Sequence, residues 1–331
     1  MGNLGLIDGT TVSMPDTNTN QARFPQSRGQ KPGLGFPVAR LVAIVSLSAG
    51  AVLDWALGAC KGKKTGETAL LWQLMPQLTC GDVVISDGYY CGYFMIARLV
   101  SLGVDVLMPQ HHLRATDFRR GKRLGVRDHV VAWIRPPRPD WMDEEIYATM
   151  PEALTMRETR VGGRTLITTL TDARTVAKQE LAQLYAMRWQ VELDLRSIKS
   201  VMQMDILRCQ TPAMVEKEIA VHLLAYNLVR AVMAQAACAH NLLPRQLSFK
   251  ATLQLLNAFE MNLRHGSCDT LTRIQLLTAL AHRRLAHRPN RIEPRAVKRR
   301  AKPHPLLTKP RHVLRERLLK RQRRRMEVVL S

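Results

Sequence analysis

No two cysteines in this sequence are spaced as CxxC. The six of them, Cys60, Cys80, Cys91, Cys209, Cys238 and Cys268, fall at irregular intervals. That spacing argues against both a zinc site and a disulfide framework, and reduced thiols in a cytoplasm are the expected state. No signal peptide opens the chain, and no internal repeat is found. An uninterrupted apolar run of membrane-spanning length is also missing. The longest candidate, 41–60, holds Asp54, two Ser and two Gly, and its break at Ser48 to Ala51 suits two strands and a turn. Negative charge is scarce: 27 Asp and Glu face 49 Lys and Arg, for a formal net charge of +22. Such a chain wants a polyanionic partner. The excess is concentrated near the end, where 18 Lys and Arg face 2 Glu between Arg283 and Arg325, a net +16. Nucleic acid or an anionic membrane surface would each answer that segment.

What is present describes a folded protein. With 331 residues, 46% hydrophobic and 23% charged, the chain can bury a full core. In order, 4–13 reads as a strand carrying Asp8, and 14–37 as a loop rich in turn formers. Residues 40–47 and 51–57 read as a hairpin pair, and 67–77 as a helix with Thr65 as N-cap. A short strand, 82–86, ends at Asp87; a helix at 93–102 and a buried strand at 104–108 follow. This is the strand and helix order of a ribonuclease-H-like core, whose first and fourth strands are neighbours, so that Asp8 and Asp87 can converge. Residues 111–175 depart from that pattern, with strands at Trp133–Arg135 and 166–170 around a Pro-rich turn and an acidic run. His111 and His112 suggest a metal pair, but neighbours on an extended segment point to opposite faces, which argues against it.

After that β-rich part, 181–199 (LAQLYAMRWQVELDLRSIK) has no Gly or Pro and reads as one helix. Leu181, Leu184, Met187, Val191, Leu195, Ile198 and Met202 form its apolar stripe. Tyr185, Arg188, Glu192, Arg196 and Lys199 share an arc of roughly 80° beside it. A row of this kind is usually a solvated charged face, and Trp189 points off it and is expected to pack. A further helix is expected at 213–239, where Glu216, Lys217, Glu218 and Arg230 rule out a bilayer span. A short basic helix is expected at 312–325. The expected organisation is therefore a first part of the core at 1–110, a β-rich insertion at 111–175, the rest of the core at 176–240, and a helical, basic region at 241–331. The fold class is α/β, a mixed sheet flanked by helices.

The spacing Tyr185-x2-Arg188-x3-Glu192-x6-Lys199 resembles the YREK signature of bacterial insertion-sequence DDE transposases, the IS-four family. DGTTVSMPDT at Asp8 and GDVVISDGYYCGYF at Asp87 resemble the blocks around that family's two catalytic aspartates. LRCQTPAMVEKEIAVHLLAYNLVR resembles the helix after the signature, and NRIEPRAVKRRAKPHPLLTKPR the basic end. Two departures stand out. Relatives carry a helical segment ahead of the first aspartate, whereas Asp8 is almost at the start here, so an N-terminally truncated member is one expectation. Some relatives also have Arg after the second aspartate, where this chain has Gly88.

The resemblance implies a cut-and-paste transposase with Asp8, Asp87 and Glu192 as catalytic acids and metal ligands. Phosphodiester cleavage by two divalent ions about 4 Å apart suits three carboxylates, because hard Mg²⁺ prefers their oxygens and lowers the pKa of attacking water. Two Mg²⁺ ions are expected, with Mn²⁺ able to substitute. Arg188 and Lys199 are expected to hold DNA phosphates. Tyr185 is expected either to join them or to sit at the core boundary, and for Arg196 a solvated and a phosphate-binding role are equally open. The implied partners are double-stranded DNA, both transposon ends and target, with a dimer in the DNA complex, no membrane, a hairpin intermediate, and a cytoplasmic, nucleoid-associated location. Relatives that flip a base do so against a tryptophan on the insertion strand before the signature; that strand has no aromatic here, and Trp133 is the candidate substitute. A non-catalytic DNA-binding remnant and a general nuclease on the same fold are the alternatives.

Overall fold

The computed structural model of the chain describes residues 2–62, 65–260, 270–286 and 307–330, with side chains in the last stretch described as far as Arg323. One sheet organises it. Its strands are β1 (Leu4–Ser13), β2 (Val38–Ser46), β3 (Val52–Ala59), β4 (Val83–Ile85), β5 (Asp105–Pro109), β6 (Lys122–Gly125), β7 (Asp128–Ile134), β8 (Ala153–Val161) and β9 (Arg164–Thr168), in the spatial order β3-β2-β1-β4-β5-β9-β8-β7-β6. β1, β4 and β5 run parallel, and every other neighbouring pair is antiparallel. This mixed sheet, covered by helices, is the ribonuclease-H-like arrangement, with β1 beside β4. β6 to β9 form an antiparallel meander that continues the sheet from β5.

Central strands are continuous apolar runs because both faces are covered. In β2, the seven residues from Ala39 to Val45 are all buried except Arg40. One face packs on α2 (Glu67–Leu74) and α3 (Tyr93–Ser101). The other packs on α5 (Lys178–Ala186), α6 (Trp189–Arg196), α7 (Pro212–Ala239), α8 (Phe249–Ala258) and α9 (Thr270–Ala281). Two more helices are peripheral, α1 (Asn18–Arg23) and α4 (Glu144–Ala148), and α10 (Arg311–Leu330) is the basic helix near the end. Residues 287–306 of the basic segment that begins at Arg283 lie outside the described residues.

Several local expectations need correction. The 14–37 loop contains α1, started by Thr17, whose hydroxyl accepts from Asn20 N–H; one good cap outweighs the turn formers around it. The N-cap of α2 is Gly66 and not Thr65. By length and composition α7 could cross a membrane, at a mean hydropathy of 1.3. It lies on the sheet instead, with Val215, Ile219, Leu223 and Tyr226 in the core and Pro212 at its first turn, where a missing N–H costs nothing.

The expected single helix over 181–199 is three segments. Between α5 and α6 the amides of Met187, Arg188, Gln190 and Val191 each bond to the carbonyl three residues back, at 2.9–3.1 Å, so the backbone tightens to 3₁₀ geometry. After α6, Ser197–Val201 widens to a π turn, closed by Met202 N–H on Ser197 O at 3.1 Å. The tightening advances each residue by about 20° more than an α-helix does. Met187 consequently leaves the apolar stripe and is exposed, while Leu181, Val191, Leu195 and Ile198 stay buried. Each of these fully buried side chains contributes roughly 1.5–3 kcal/mol.

Candidate active site

The parallel register between β1 and β4 ends with Leu6 opposite Ile85. Asp8 and Asp87 each lie two residues further on, hence at the same height and on the same face as that pair. Leu6 and Ile85 share a core cluster with Val191 and Leu195, so this is the face that α6 covers. Asp87 takes a stop at the end of β4: its carboxylate accepts Tyr89 N–H at 2.9 Å and caps the short helical turn Gly88–Tyr90. Gly88 has a packing reason. A Cβ there would meet the Pro109 and Gln110 carbonyl oxygens at 3.3 Å, so a larger residue would push apart the ends of β4 and β5.

Arg188 and Glu192 enter from the tightened turn and α6. Arg188 Nη2 donates to Glu192 Oε1 at 2.5 Å, and its Nη1 lies 3.6 Å from Asp8 Oδ2. One guanidinium thus spans the first and third acids, with side chains of Asp8 and Arg188 only 20% and 18% exposed. Burial pushes the Asp8 carboxyl up from 3.8 to about 6. Gly9 N–H and Arg188 oppose that rise, while the charges of Asp87 and Glu192 add to it. Burial works against the Arg188 charge, but the Glu192 hydrogen bond and the Tyr185 and Asp8 charges outweigh it and hold the guanidinium above its ordinary value. No set of three or more His, Cys, Asp or Glu closes on a single metal position among the described residues; Arg188 sits between two of the acids, and Asp87 is turned to its cap.

The other residues are placed less tightly. Tyr185 is half-buried and packs against the core beside Arg188. Lys199 sits on the π turn, half-buried, with no ion pair among the described residues, and Arg196 is exposed. Trp189, expected to pack, is 51% exposed, because the tightened turn rotates it outward next to Arg188. Trp133 is the reverse. It is 3% exposed, its indole N–H donates to Glu158 Oε1 at 2.7 Å, and Arg114 lies over its ring at 3.5 Å. A flipped base has no access to it. His111 and His112 sit in a turn, not on an extended segment, and their rings stack at 4.2 Å, so the opposite-faces reasoning does not hold. With Gln110, Arg114, Arg164 and Thr165 they line an open hollow of about 380 Å³ next to the end of β5.

A family model described as "Transposase DDE domain" matches residues 2–228. The transposase InsG for insertion sequence element IS4 of Escherichia coli (strain K12) is 32% identical over 323 residues, covering 92% of this chain and 69% of that protein. The chain belongs to the IS4-type DDE transposases. Its activity class is therefore DNA cleavage and strand transfer in the movement of an insertion sequence, with the divalent-metal dependence and DNA binding of that family. Sequence reasoning also passed over the charged cluster around Asp194. Asp194, on α6, is fully buried between Arg230 and Arg245. The available signal was Arg230 itself, a lone cation in the apolar stripe of α7, which needs a buried partner.

Proposed function

We propose that Asp8, Asp87 and Glu192 are the catalytic acids of this transposase and together hold two Mg²⁺ ions, for which Mn²⁺ can substitute. The observation that carries this reading is the Arg188 guanidinium bridging Asp8 and Glu192, beside an Asp87 whose charge reaches Asp8. A positive group already stands between two hard oxygen donors, Asp8 and Glu192, with Asp87 at the end of the neighbouring strand, and the charges of Asp87 and Glu192 add to the rise that burial gives the Asp8 carboxyl. Held there, the ions would lower the pKa of an attacking water and stabilise charge on the leaving oxygen.

The chain's own residues do the rest. Arg188 would reach a scissile phosphate from its place beside Asp8 and Glu192, and its planar fork fits that group in two-point fashion. Lys199 adds a point charge from the π turn, and Tyr185 a hydroxyl donor. The His111, His112, Arg114 and Arg164 hollow extends this cationic track past Asp87. In the first step a P–O bond forms to water and the bond to the 3′ oxygen breaks; in the second, the freed 3′-hydroxyl attacks a target phosphodiester and displaces its 3′ oxygen. Two copies of the chain hold the two ends. α10, with exposed Arg311, Arg315, Arg317, Lys320, Arg321 and Arg323, supplies sequence-independent phosphate contacts that weaken with salt.

The test is nicking of a duplex carrying the element's end by the full chain in Mg²⁺. Asp87→Ala is expected to abolish nicking and to leave duplex affinity within about twofold, since phosphate contacts elsewhere dominate binding. Nicking by Asp87→Ala at the parental rate overturns the assignment.

A further inference from the structure

Away from the acids, a buried charged cluster centres on Asp194. Its Oδ2 receives Arg245 Nη2 at 2.9 Å, and its Oδ1 is paired with Arg230 Nη2 and lies 3.1 Å from the Tyr226 hydroxyl. Arg230 Nε donates to that hydroxyl at 2.8 Å, and the hydroxyl also reaches Gly50 O at 2.8 Å. Arg245 bonds to the carbonyl of Leu47 and, at 2.8 Å, to that of Ser46, and its Nη1 reaches Gln190 Oε1 at 3.5 Å. Gly50 is required here. Its φ is +72°, and a Cβ would meet the Arg230 guanidinium carbon at 2.9 Å.

Stability alone explains this cluster poorly, because buried ion groups are often no better than apolar replacements. Its location explains it better. α6 is eight residues long, with a 3₁₀ turn before it and a π turn after it, so its rotation differs from that of one continuous α-helix and its own contacts bear on it. Glu192 and Asp194 stand about 200° apart around α6. Fixing Asp194 on one side therefore fixes where Glu192 points on the other. Arg245 grips α6 at both Gln190 and Asp194, one turn apart, and ties it to the β2–β3 turn. It comes from a part of the chain beyond residues 2–228.

We propose that Arg245 and Asp194 are positioning residues that clamp α6 so that Glu192 faces Asp8 and Asp87. This rests on the reading of those three acids as the metal site. The experiment compares the parent full chain with Arg245→Met, Arg245→Lys and Asp87→Ala. It reads thermal midpoint, duplex affinity, Mn²⁺ bound without DNA by electron paramagnetic resonance, and nicking rate against Mn²⁺. Arg245→Met leaves Asp194 paired with Arg230. Folded and binding duplex like the parent, it is expected to need at least fivefold more Mn²⁺ in both metal readouts and to nick at least tenfold more slowly at saturation. Arg245→Lys keeps the charge without the fork, and is expected to fall between the two, which keeps the test decisive should Arg245→Met not fold. A lowered thermal midpoint with parental Mn²⁺ binding and parental nicking, in either folded variant, overturns the clamp. Parental nicking by Asp87→Ala would instead overturn the underlying metal-site reading.

Discussion

Arg188 Nη1 stands 3.6 Å from Asp8 Oδ2, joining the tightened turn before α6 to the first strand of the sheet. The same guanidinium holds Glu192, so a side chain expected to grip DNA is engaged with two of the acids. At the proposed metal site, metal and Arg188 would compete for the same oxygens.

Arg188→Gln is expected to separate the two roles. Removing a cation from the cluster should tighten Mn²⁺ binding in the absence of DNA several-fold, while nicking falls by about 10²-fold, the scale of one lost charge-assisted contact to a developing charge. Lys199→Ala should lower nicking more than duplex affinity and leave DNA-free Mn²⁺ binding unchanged. Weaker Mn²⁺ binding in Arg188→Gln would show that the guanidinium organises the acids and does not compete for them.

Asp8 makes stability depend on pH in a stated direction. Its carboxyl is raised from 3.8 to about 6, so the folded chain holds this proton more tightly than the unfolded one. The metal-free protein is therefore favoured below about pH 4 and loses up to about 3 kcal/mol as pH rises through 6. Asp8→Asn removes that loss. Relative to the parent, its urea-unfolding stability with chelator present should be about 1–3 kcal/mol better at pH 7.5 than at pH 4. An equal difference at both pH values contradicts the raised carboxyl.

The two tryptophans should trade their expected roles. Trp133→Ala removes a buried ring and one of the hydrogen bonds to the Glu158 carboxylate, and is expected to cost about 3–5 kcal/mol of stability. Trp189→Ala should cost less than about 1 kcal/mol, yet weaken binding to single-stranded or nicked ends by about 1–3 kcal/mol if a base stacks on the exposed ring. Chemical denaturation and a binding titration of both variants check this, and parental end binding by Trp189→Ala would remove the stacking role.

Much of this architecture is legible in the sequence because it is written in period-2 and near-3.6 apolar patterns. β1 to β5, α3 and α7 lie where alternation, continuous apolar runs and Pro212 put them. The break at Met187–Arg188 and the π turn at Ser197–Val201 left no mark, since both use ordinary helix formers and differ only in hydrogen-bond span. That is why helix periodicity alone puts Met187 and Trp189 in the wrong surroundings. β6 and β8 were missed because polar and charged residues interrupt their alternation; in β8, Arg157 and Glu158 are both buried, paired with Asp128 and with His129. The clamp on α6 depends on tertiary contacts between Asp194 and residues far along the chain, which spacing within one helix cannot reveal.

The most direct measurement replaces an acid with a softer ligand and asks which metal restores cleavage. Thiolate binds Mg²⁺ poorly and accepts softer divalent ions more readily. Asp87→Cys and Glu192→Cys should therefore lose nicking of the end duplex in Mg²⁺ and recover at least a tenth of the parental rate in Mn²⁺, while the corresponding Ala variants stay inactive in both. Parental nicking by either Cys variant in Mg²⁺, or by either Ala variant in any metal, would contradict a metal site built from these acids.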